Sequence, residues 1–142
     1  MAAKRTFVIV GAGLAGAKAA ESLRGWGFDG HVVLIGDEPV RPYQRPPLSK
    51  SYLRGKSSFD DAAVHSPGFY KDHDIDLRTG ETATAIDIAR RRVKLESGGG
   101  AVCYDRLLLA TGARPRVLDV PGASLDRVFT LRTIADSDAL RL

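Results

Sequence analysis

Cysteine is nearly absent: the 142 residues include one, Cys103. A single thiol excludes an internal disulfide, a Cys-x-x-Cys redox pair and a cysteine-based zinc cluster, and no other metal site is expected. Long hydrophobic runs are missing too, so no segment is read as a membrane span. Residues 1–5 are too short, and Thr6–Val10 too soon interrupted by glycines, to make a secretory leader. The cytoplasm is the expected location. Charge of one sign is never concentrated. Lysine and arginine number 21 against 17 aspartates and glutamates, a net charge of +4, but they are scattered along the chain. That leaves no footprint for nucleic acid or another polyanion. Internal repeats and low-complexity stretches are also lacking.

What remains is an ordinary globular composition, 44% hydrophobic and 27% charged, long enough for one domain with a real core. Its organising stretch is Val8-Ile9-Val10-Gly11-Ala12-Gly13-Leu14-Ala15-Gly16. A β-branched run meets glycines spaced G-x-G-x-x-G, and a helix-forming run follows at once. That is the context a dinucleotide fingerprint needs. Gly11 permits the turn off the strand, Gly13 lets the backbone approach a diphosphate, and Gly16 lets the helix lie close to the sheet. The helix N-terminus then faces the phosphates with free N–H groups and its positive dipole end. The next strand, residues 31–35, leads into Gly36-Asp37-Glu38, so Asp37 stands about 20 residues past the last glycine, where a carboxylate accepts from ribose hydroxyls.

Along the chain, Leu14 to Arg24 reads as a helix, with Leu14, Ala17, Ala20 and Leu23 at helical spacing and Gly25 as a left-handed cap. Trp26 and Phe28 are expected to cover the sheet edge. The strand at 31–35 lies parallel to the first by the right-handed crossover rule. Four prolines, Pro39, Pro42, Pro46 and Pro47, break the stretch after it. A short helix is expected over Leu48–Leu53, closed by Gly55, then loop over 56–65 with Asp60 and Asp61 solvated. Ser66-Pro67 reads as N-cap and first position of a helix to about His73. A brief strand is expected at Ile75–Leu77. From Thr82 the period changes to two: Thr82–Ile88, Arg92–Glu96 and Ala101–Tyr104 alternate, with Gly98-Gly99-Gly100 as a turn. Leu107-Leu108-Leu109-Ala110 is continuously apolar, which predicts a strand buried on both faces. A last short strand is expected at Val128–Leu131, and Thr133 caps a final helix with Asp136 as the capping-box acid. That helix has only begun when the chain stops, as if cut at a domain junction. The fold class expected is α/β: a Rossmann-like parallel sheet with the G-x-G-x-x-G first turn and an inserted small antiparallel meander.

Two further constellations carry chemistry. The strand at 107–110 ends in Ala110-Thr111-Gly112, all small, so its backbone can approach a ligand at the sheet's carboxyl edge. In Arg45-Pro46-Pro47-Leu48-Ser49-Lys50, two prolines stiffen a loop with a fixed cation at either end. Such a loop suits a diphosphate or a ring that becomes negative on reduction. Taken singly, each Arg or Lys is more usually a solvated surface charge.

Gly11-x-Gly13-x-x-Gly16, Leu34-Ile35-Gly36-Asp37-Glu38, Arg45-Pro46-Pro47-Leu48-Ser49-Lys50 and Ala110-Thr111-Gly112-Ala113-Arg114-Pro115 occur in this order. Together they resemble the amino-terminal FAD segment of the NAD(P)H-dependent ferredoxin reductases of oxygenase systems, the putidaredoxin and rubredoxin reductase type. The resemblance covers essentially all 142 residues, and the proline-rich motif is its most specific part. It implies that Gly11, Gly13, Leu14, Ala15 and Gly16 hold the FAD diphosphate and Asp37 the adenosine ribose, with Glu38 beside it. Arg45, Pro46 and Lys50 would lie along the diphosphate and isoalloxazine. Ala83 would meet the adenine end through its backbone, Ala110, Thr111 and Gly112 would line the cofactor, and Arg132 would lie near the start of the next segment. The flavin does the redox chemistry, with Lys50 the only side chain offered for a direct part; His31, His65 and His73 are then structural or exposed. Electrons pass from NAD(P)H, a co-substrate held by a domain not in this sequence, through FAD to a ferredoxin, rubredoxin or similar carrier. The related disulfide reductases carry a cysteine pair near Leu48–Leu53, where this chain has none, and Cys103 is expected as a small core residue.

The family continues into NAD(P)H and carboxy-terminal domains, so residues 1–142 correspond to the first part of an FAD-binding domain. Two rivals stand beside the enzyme reading. One is a non-catalytic module that binds FAD or another dinucleotide and needs a partner segment for activity. The other is the same fold binding NAD directly. The sequence leaves the acceptor, the choice between NADH and NADPH, and the oligomeric state open.

Overall fold

The computed structural model describes residues 4–97 and 100–141. The chain forms two compact units, one of Met1–Pro42 and Val64–Gly112, the other of Tyr43–Ala63 and Ala113–Leu142.

The first unit is built on β1 (Thr6–Val10) and β2 (His31–Ile35), both rich in the β-branched residues that suit a pleated, covered surface. With β3 (Ile75–Arg78) they form a parallel sheet; β4 (Ala83–Asp87), β5 (Arg92–Leu95) and β6 (Ala101–Cys103) form a separate antiparallel sheet. Strand β7 (Arg106–Leu109) then returns to the parallel sheet, whose order is β3-β2-β1-β7. Val8 lies between Val33 and Leu107, and Val10 between Ile35 and Leu109.

Side-chain alternation makes this sheet the middle of three layers. Val8, Val10, Val33 and Ile35 project from one face onto Val93 and Leu95 of β5. Ile9, Val32 and Leu34 project from the other, onto Ala20 of the helix α1 (Leu14–Gly25), Tyr70 and Ile75. Each fully covered aliphatic side chain contributes roughly 1.5–3 kcal/mol, which makes β1 and β2 the principal stabilising pair. The Arg24 guanidinium closes the opposite end of the layer by donating to the carbonyls of Phe28, Gly30, His73 and Asp74.

The second unit contains a 3-10 turn at Pro46–Ser49, a helical turn at Phe59–Ala62 and the helix Ile134–Arg141. That helix docks through Ser137, whose buried hydroxyl donates to the Leu48 carbonyl at 2.8 Å. Tyr52 donates its hydroxyl to Asp138 at 2.8 Å. As expected, the helix begins in a capping box: the Asp136 N–H donates to the Thr133 hydroxyl, and the Asp136 carboxylate accepts the Thr133 N–H.

Several expectations are corrected. Strand β7 is an edge strand, not a doubly buried one; Leu108 and Leu109 are 43% and 57% exposed. Helix α1 packs over β1 and β2, so an apolar run that could be covered on both faces is left partly open, with Leu107 alone of its leucines packed against the meander core. Val128–Leu131 forms no strand, because no strand lies beside it among the described residues to take its backbone bonds. The helix expected over Leu48–Leu53 is the 3-10 turn Pro46–Ser49. The i→i+3 bonds Leu48 to Arg45 and Lys50 to Pro47 set it, and turns run on to Gly55. Residues 56–65 are not all loop: Ser58 and Asp61 make a capping box that opens a helical turn at Phe59–Ala62, while Asp60 and Asp61 are exposed as expected.

The helix expected from Ser66 starts at Phe69, since the Ser66 carbonyl, not its side chain, takes the Phe69 N–H. Gly25 ends α1 without a left-handed turn. Gly27, at φ +79°, supplies it, and the Phe28 N–H reaches back to the Leu23 carbonyl while the Gly27 N–H reaches Arg24, a Schellman closure. Phe28 stacks on Phe7 at 4.2 Å, but Trp26 is 92% exposed and covers nothing. Cys103 is exposed, because alternation along β6 turns Val102 inward and its neighbours outward. Gly98 and Gly99 of the expected meander turn lie outside the described residues.

Leu34→Ala, in a fully covered site, is expected to cost about 2–5 kcal/mol, read as a lower urea midpoint by circular dichroism. Leu108→Ala on the exposed edge is expected to cost less than about 1 kcal/mol.

Candidate functional site

The carboxyl ends of β2, β1 and β7 lie side by side, and backbone bonds knit the loops beyond them. The Gly11 N–H donates to the Ile35 carbonyl at 2.8 Å, Ala110 to Val10 at 2.7 Å, and Gly36 to Arg78 at 2.9 Å. The strand order reverses between β1 and β7, and that gap is where open α/β sheets bind ligands. It is here that the first glycine loop and Ala110-Thr111-Gly112 meet.

The glycines divide by what surrounds them. Gly11 has φ +114°, and a Cβ there would overlap the Ala110 carbonyl. At Gly16 a Cβ would overlap the Gly11 carbonyl and press on Leu34. Both are required by the chain's own close approach. Gly13 is different: its φ is −93°, open to any residue, and no atom lies within 4 Å of the Cβ position. Nothing among the described residues demands a glycine at this position; a ligand lying over the backbone would.

Gly13 is also the N-cap of α1, and it has no side chain with which to cap. The Ala17 N–H takes the Gly13 carbonyl at 3.0 Å, so the N–H groups of Leu14, Ala15 and Gly16 have no carbonyl one turn back to bond. No acidic residue offsets the helix dipole in this first turn. Leu14 and Ala15 are exposed. Donors, dipole and open space converge, which is the donor set a diphosphate needs.

Asp37 is exposed just past β2. Its loop is held on both sides, since the Gly36 carbonyl accepts from Glu81 at 2.9 Å and the Glu38 carbonyl from Gly80 at 2.8 Å. Glu38 is half-buried. Ala83 opens β4 opposite Leu95 and packs against the core. Thr111 and Gly112 are exposed, with Gly112 at φ +73°. One participant went unread in the sequence: at Gly36 a Cβ would strike that of Ala12, so Gly36 seats the glycine loop on β2. A small residue at the end of the strand beside the fingerprint was its only signal.

Arg45, Pro46, Lys50 and Arg132 belong to the second unit. Pro46 opens the 3-10 turn and is exposed; Lys50 follows it, also exposed. Arg45 and Arg132 are brought together: Nη1 of Arg45 donates to the Arg132 carbonyl and, at 3.0 Å, to the Tyr43 hydroxyl. Nε of Arg132 is buried without a partner among the described residues, a donor available to a ligand. Asp136 accepts the backbone N–H groups of Arg132 and Thr133 at 2.9 and 2.7 Å. Its carboxyl is held below the usual range, first by the Thr133 backbone bond.

His31 and His73 are exposed, and Nδ1 of His73 bonds the Phe69 carbonyl. His65 stacks on Phe69 and lies between Glu21 at 3.1 Å and Tyr70 at 3.2 Å. Burial pushes the Tyr70 hydroxyl up to about 12, and Lys18, ahead of His65, draws the Glu21 carboxyl down. These contacts tie α1 to residues 65–70 and are structural. No cluster of three or more metal-ligating side chains occurs among the described residues. Nor is any helix among them long and apolar enough to cross a membrane.

The sequence matches the pyridine nucleotide-disulphide oxidoreductase family over residues 5–142. The chain belongs to that family. Rhodocoxin reductase of Rhodococcus erythropolis is 47% identical to it over 135 residues, 95% of this chain and 31% of that protein. The ferredoxin–NAD(+) reductase component of the biphenyl dioxygenase system of Paraburkholderia xenovorans is 43% identical over 136 residues, 96% and 33% of the two. The crystal structure of a covalent putidaredoxin reductase–putidaredoxin complex superposes with a TM-score of 0.90 at 42% identity, covering 99% of this chain and 34% of that one. The chain therefore spans about a third of the length of these relatives. The disulphide chemistry in the family's name has no thiol pair here, since Cys103 is the only cysteine in these 142 residues.

Gly16→Ala is expected to abolish cooperative unfolding or cost more than about 3 kcal/mol by urea titration, since backbone must move to admit the methyl group. Because Asp136 has a depressed carboxyl, its stabilising contribution is present above the ordinary value of 3.8 and is lost as pH falls through the lower folded value. Asp136→Ala is accordingly expected to cost about 1 kcal/mol at pH 7 and clearly less at pH 2.5, compared by urea midpoints.

Proposed function

We propose that this chain is the FAD-binding portion of a flavoprotein oxidoreductase that passes electrons from NAD(P)H to a ferredoxin- or rubredoxin-like carrier of an oxygenase system. The observation that carries the reading is Gly13, an N-cap glycine required by neither backbone angle nor packing, at the head of an uncapped helix. The relatives named as ferredoxin, rhodocoxin and putidaredoxin reductases support the carrier, and the cytoplasm is the compartment that fits such a system.

In this reading the N–H groups of Leu14, Ala15 and Gly16 bind the diphosphate, with Gly11 and Gly13 leaving it room. Asp37 accepts from the adenosine ribose, Glu38 flanks it, and Ala83 presents backbone to the adenine. Ala110, Thr111 and Gly112 give the cofactor a lining without side-chain bulk. Arg45, Lys50 and Arg132 supply cations for the diphosphate and the reduced ring, and Pro46 stiffens the loop between the first two. Bound there, FAD would supply the redox chemistry, taking a hydride from NAD(P)H and releasing electrons singly. The chain's own residues hold and orient it; none is needed as a general base.

A second reading, a binding module without turnover until a further segment joins it, is favoured by the exposed apolar edge at β7. The two differ in one experiment. FAD is titrated into the chain, followed by flavin fluorescence and absorbance, and NADH is then added. Binding with flavin bleaching supports the enzyme reading for these residues alone; binding without it supports the module. No FAD binding, with NAD bound instead, overturns the flavin reading and leaves a module that binds NAD.

Gly13→Ser is a sharper check. Serine is a favoured N-cap and finds open space here, so the urea midpoint is expected to hold or rise. The hydroxymethyl group would occupy the phosphate's place, and FAD affinity is expected to fall at least about tenfold. Asp37→Ala is expected to weaken FAD by a similar factor through loss of the ribose acceptor.

A further inference from the structure

Tyr43 stands two residues before the Arg45-Pro46-Pro47 motif, and no role follows for it from the fingerprint residues. In the second unit its hydroxyl accepts two hydrogen bonds from parts of the chain far apart in sequence. One comes from Nη1 of Arg45 at 3.0 Å. The other, buried, comes from the backbone N–H of Ile134 at 3.0 Å, one of the orphan donors at the head of the helix Ile134–Arg141. A neutral phenol has two acceptor lone pairs, and both are in use. The ring is engaged as well. The Arg45 guanidinium lies 5.2 Å from its centroid, and Phe59 meets it edge-on at 6.0 Å.

The second hydrogen on Nη1 of Arg45 goes to the Arg132 carbonyl. That carbonyl is itself held, because the Asp136 carboxylate takes the N–H groups of both Arg132 and Thr133. A guanidinium is a rigid plane, so anchoring both hydrogens of one terminal nitrogen fixes the orientation of the whole group. The bonds close a ring: Tyr43 to Arg45, Arg45 to the Arg132 carbonyl, the capped turn 132–136, and Ile134 back to Tyr43.

We propose that Tyr43 is a positioning residue for the cofactor site, its hydroxyl holding the Arg45 guanidinium in its binding orientation and coupling it to the capped head of the helix Ile134–Arg141. The inference rests on the assignment of Arg45 as a ligand of FAD. Arranged in this way, Arg45 does not have to be ordered when the cofactor arrives, and that saving appears as slower release.

The test uses Tyr43→Phe, which keeps the ring, its packing on Phe59 and its face toward Arg45 while removing the hydroxyl. It is compared with Arg45→Lys and with the double variant, each shown to be folded by circular dichroism. FAD release is followed by the recovery of flavin fluorescence on dilution, and the bound-flavin absorption spectrum is recorded at saturating FAD. Tyr43→Phe is expected to release FAD about tenfold faster, the factor of one lost charge-assisted hydrogen bond. The double variant is expected to release it no faster than Arg45→Lys alone, and the two single variants to share one altered spectrum. Tyr43→Phe matching the parent in rate and spectrum overturns the positioning role, as do effects of the two substitutions that simply multiply. A parent chain that binds FAD while Arg45→Lys changes nothing also overturns it, through the ligand assignment. A parent that binds no FAD overturns the flavin reading first and this one with it, before any variant is compared.

Discussion

The first unit depends on how closely its own backbone approaches itself where β1 ends. The space a side chain at Gly11 would need is filled by the Ala110 carbonyl, and that at Gly16 by the Gly11 carbonyl. At Gly36 the methyl of Ala12 stands in the way. Three glycines let β7, β1, β2 and α1 converge on one point, and the layer of valines, isoleucines and leucines on either side of the sheet can close only because they do. The fourth glycine, Gly13, is left over from this packing. It has no local reason to be glycine, and it sits where helix donors and dipole point outward.

The second unit is organised on a different principle. Few of its apolar side chains are buried, and polar bonds between residues far apart in sequence do much of the joining. Ser137 reaches the Leu48 carbonyl, Tyr52 reaches Asp138, and the Tyr43 hydroxyl gathers Arg45 and Ile134. Partly buried polar networks of this kind specify geometry more than they stabilise, because each unmade bond is costly while each made one contributes modestly. The Arg45 guanidinium is held in this way, through the Tyr43 hydroxyl and the Arg132 carbonyl.

Much of this was legible beforehand. The glycine spacing, the period change at Thr82 and the Thr133–Asp136 box are local patterns with local causes, and the sheet, the meander and the capped helix follow them. The misreadings also share a cause. Leu107–Leu109 is apolar enough to be buried twice, yet burial depends on a neighbour that α1 does not supply. Cys103 is small and sits in an alternating strand, but which parity faces inward was settled by Val93 and Leu95 across the meander. Gly25 is placed to be the left-handed cap, yet the positive φ falls at Gly27, where the Phe28 N–H closes on the Leu23 carbonyl.

By itself the sequence determined the α/β fold and the glycine loop at the head of its first helix, because steric permission and helix polarity are properties of a few adjacent residues. Tertiary structure alone decided which glycines the packing requires and which it does not, that β7 lies at an edge, and that Tyr43, Arg45 and Arg132 form one network. Those outcomes depend on atoms brought together from positions some ninety residues apart, as with Tyr43 and Ile134. No local pattern encodes such a contact; it exists only when the intervening chain has folded.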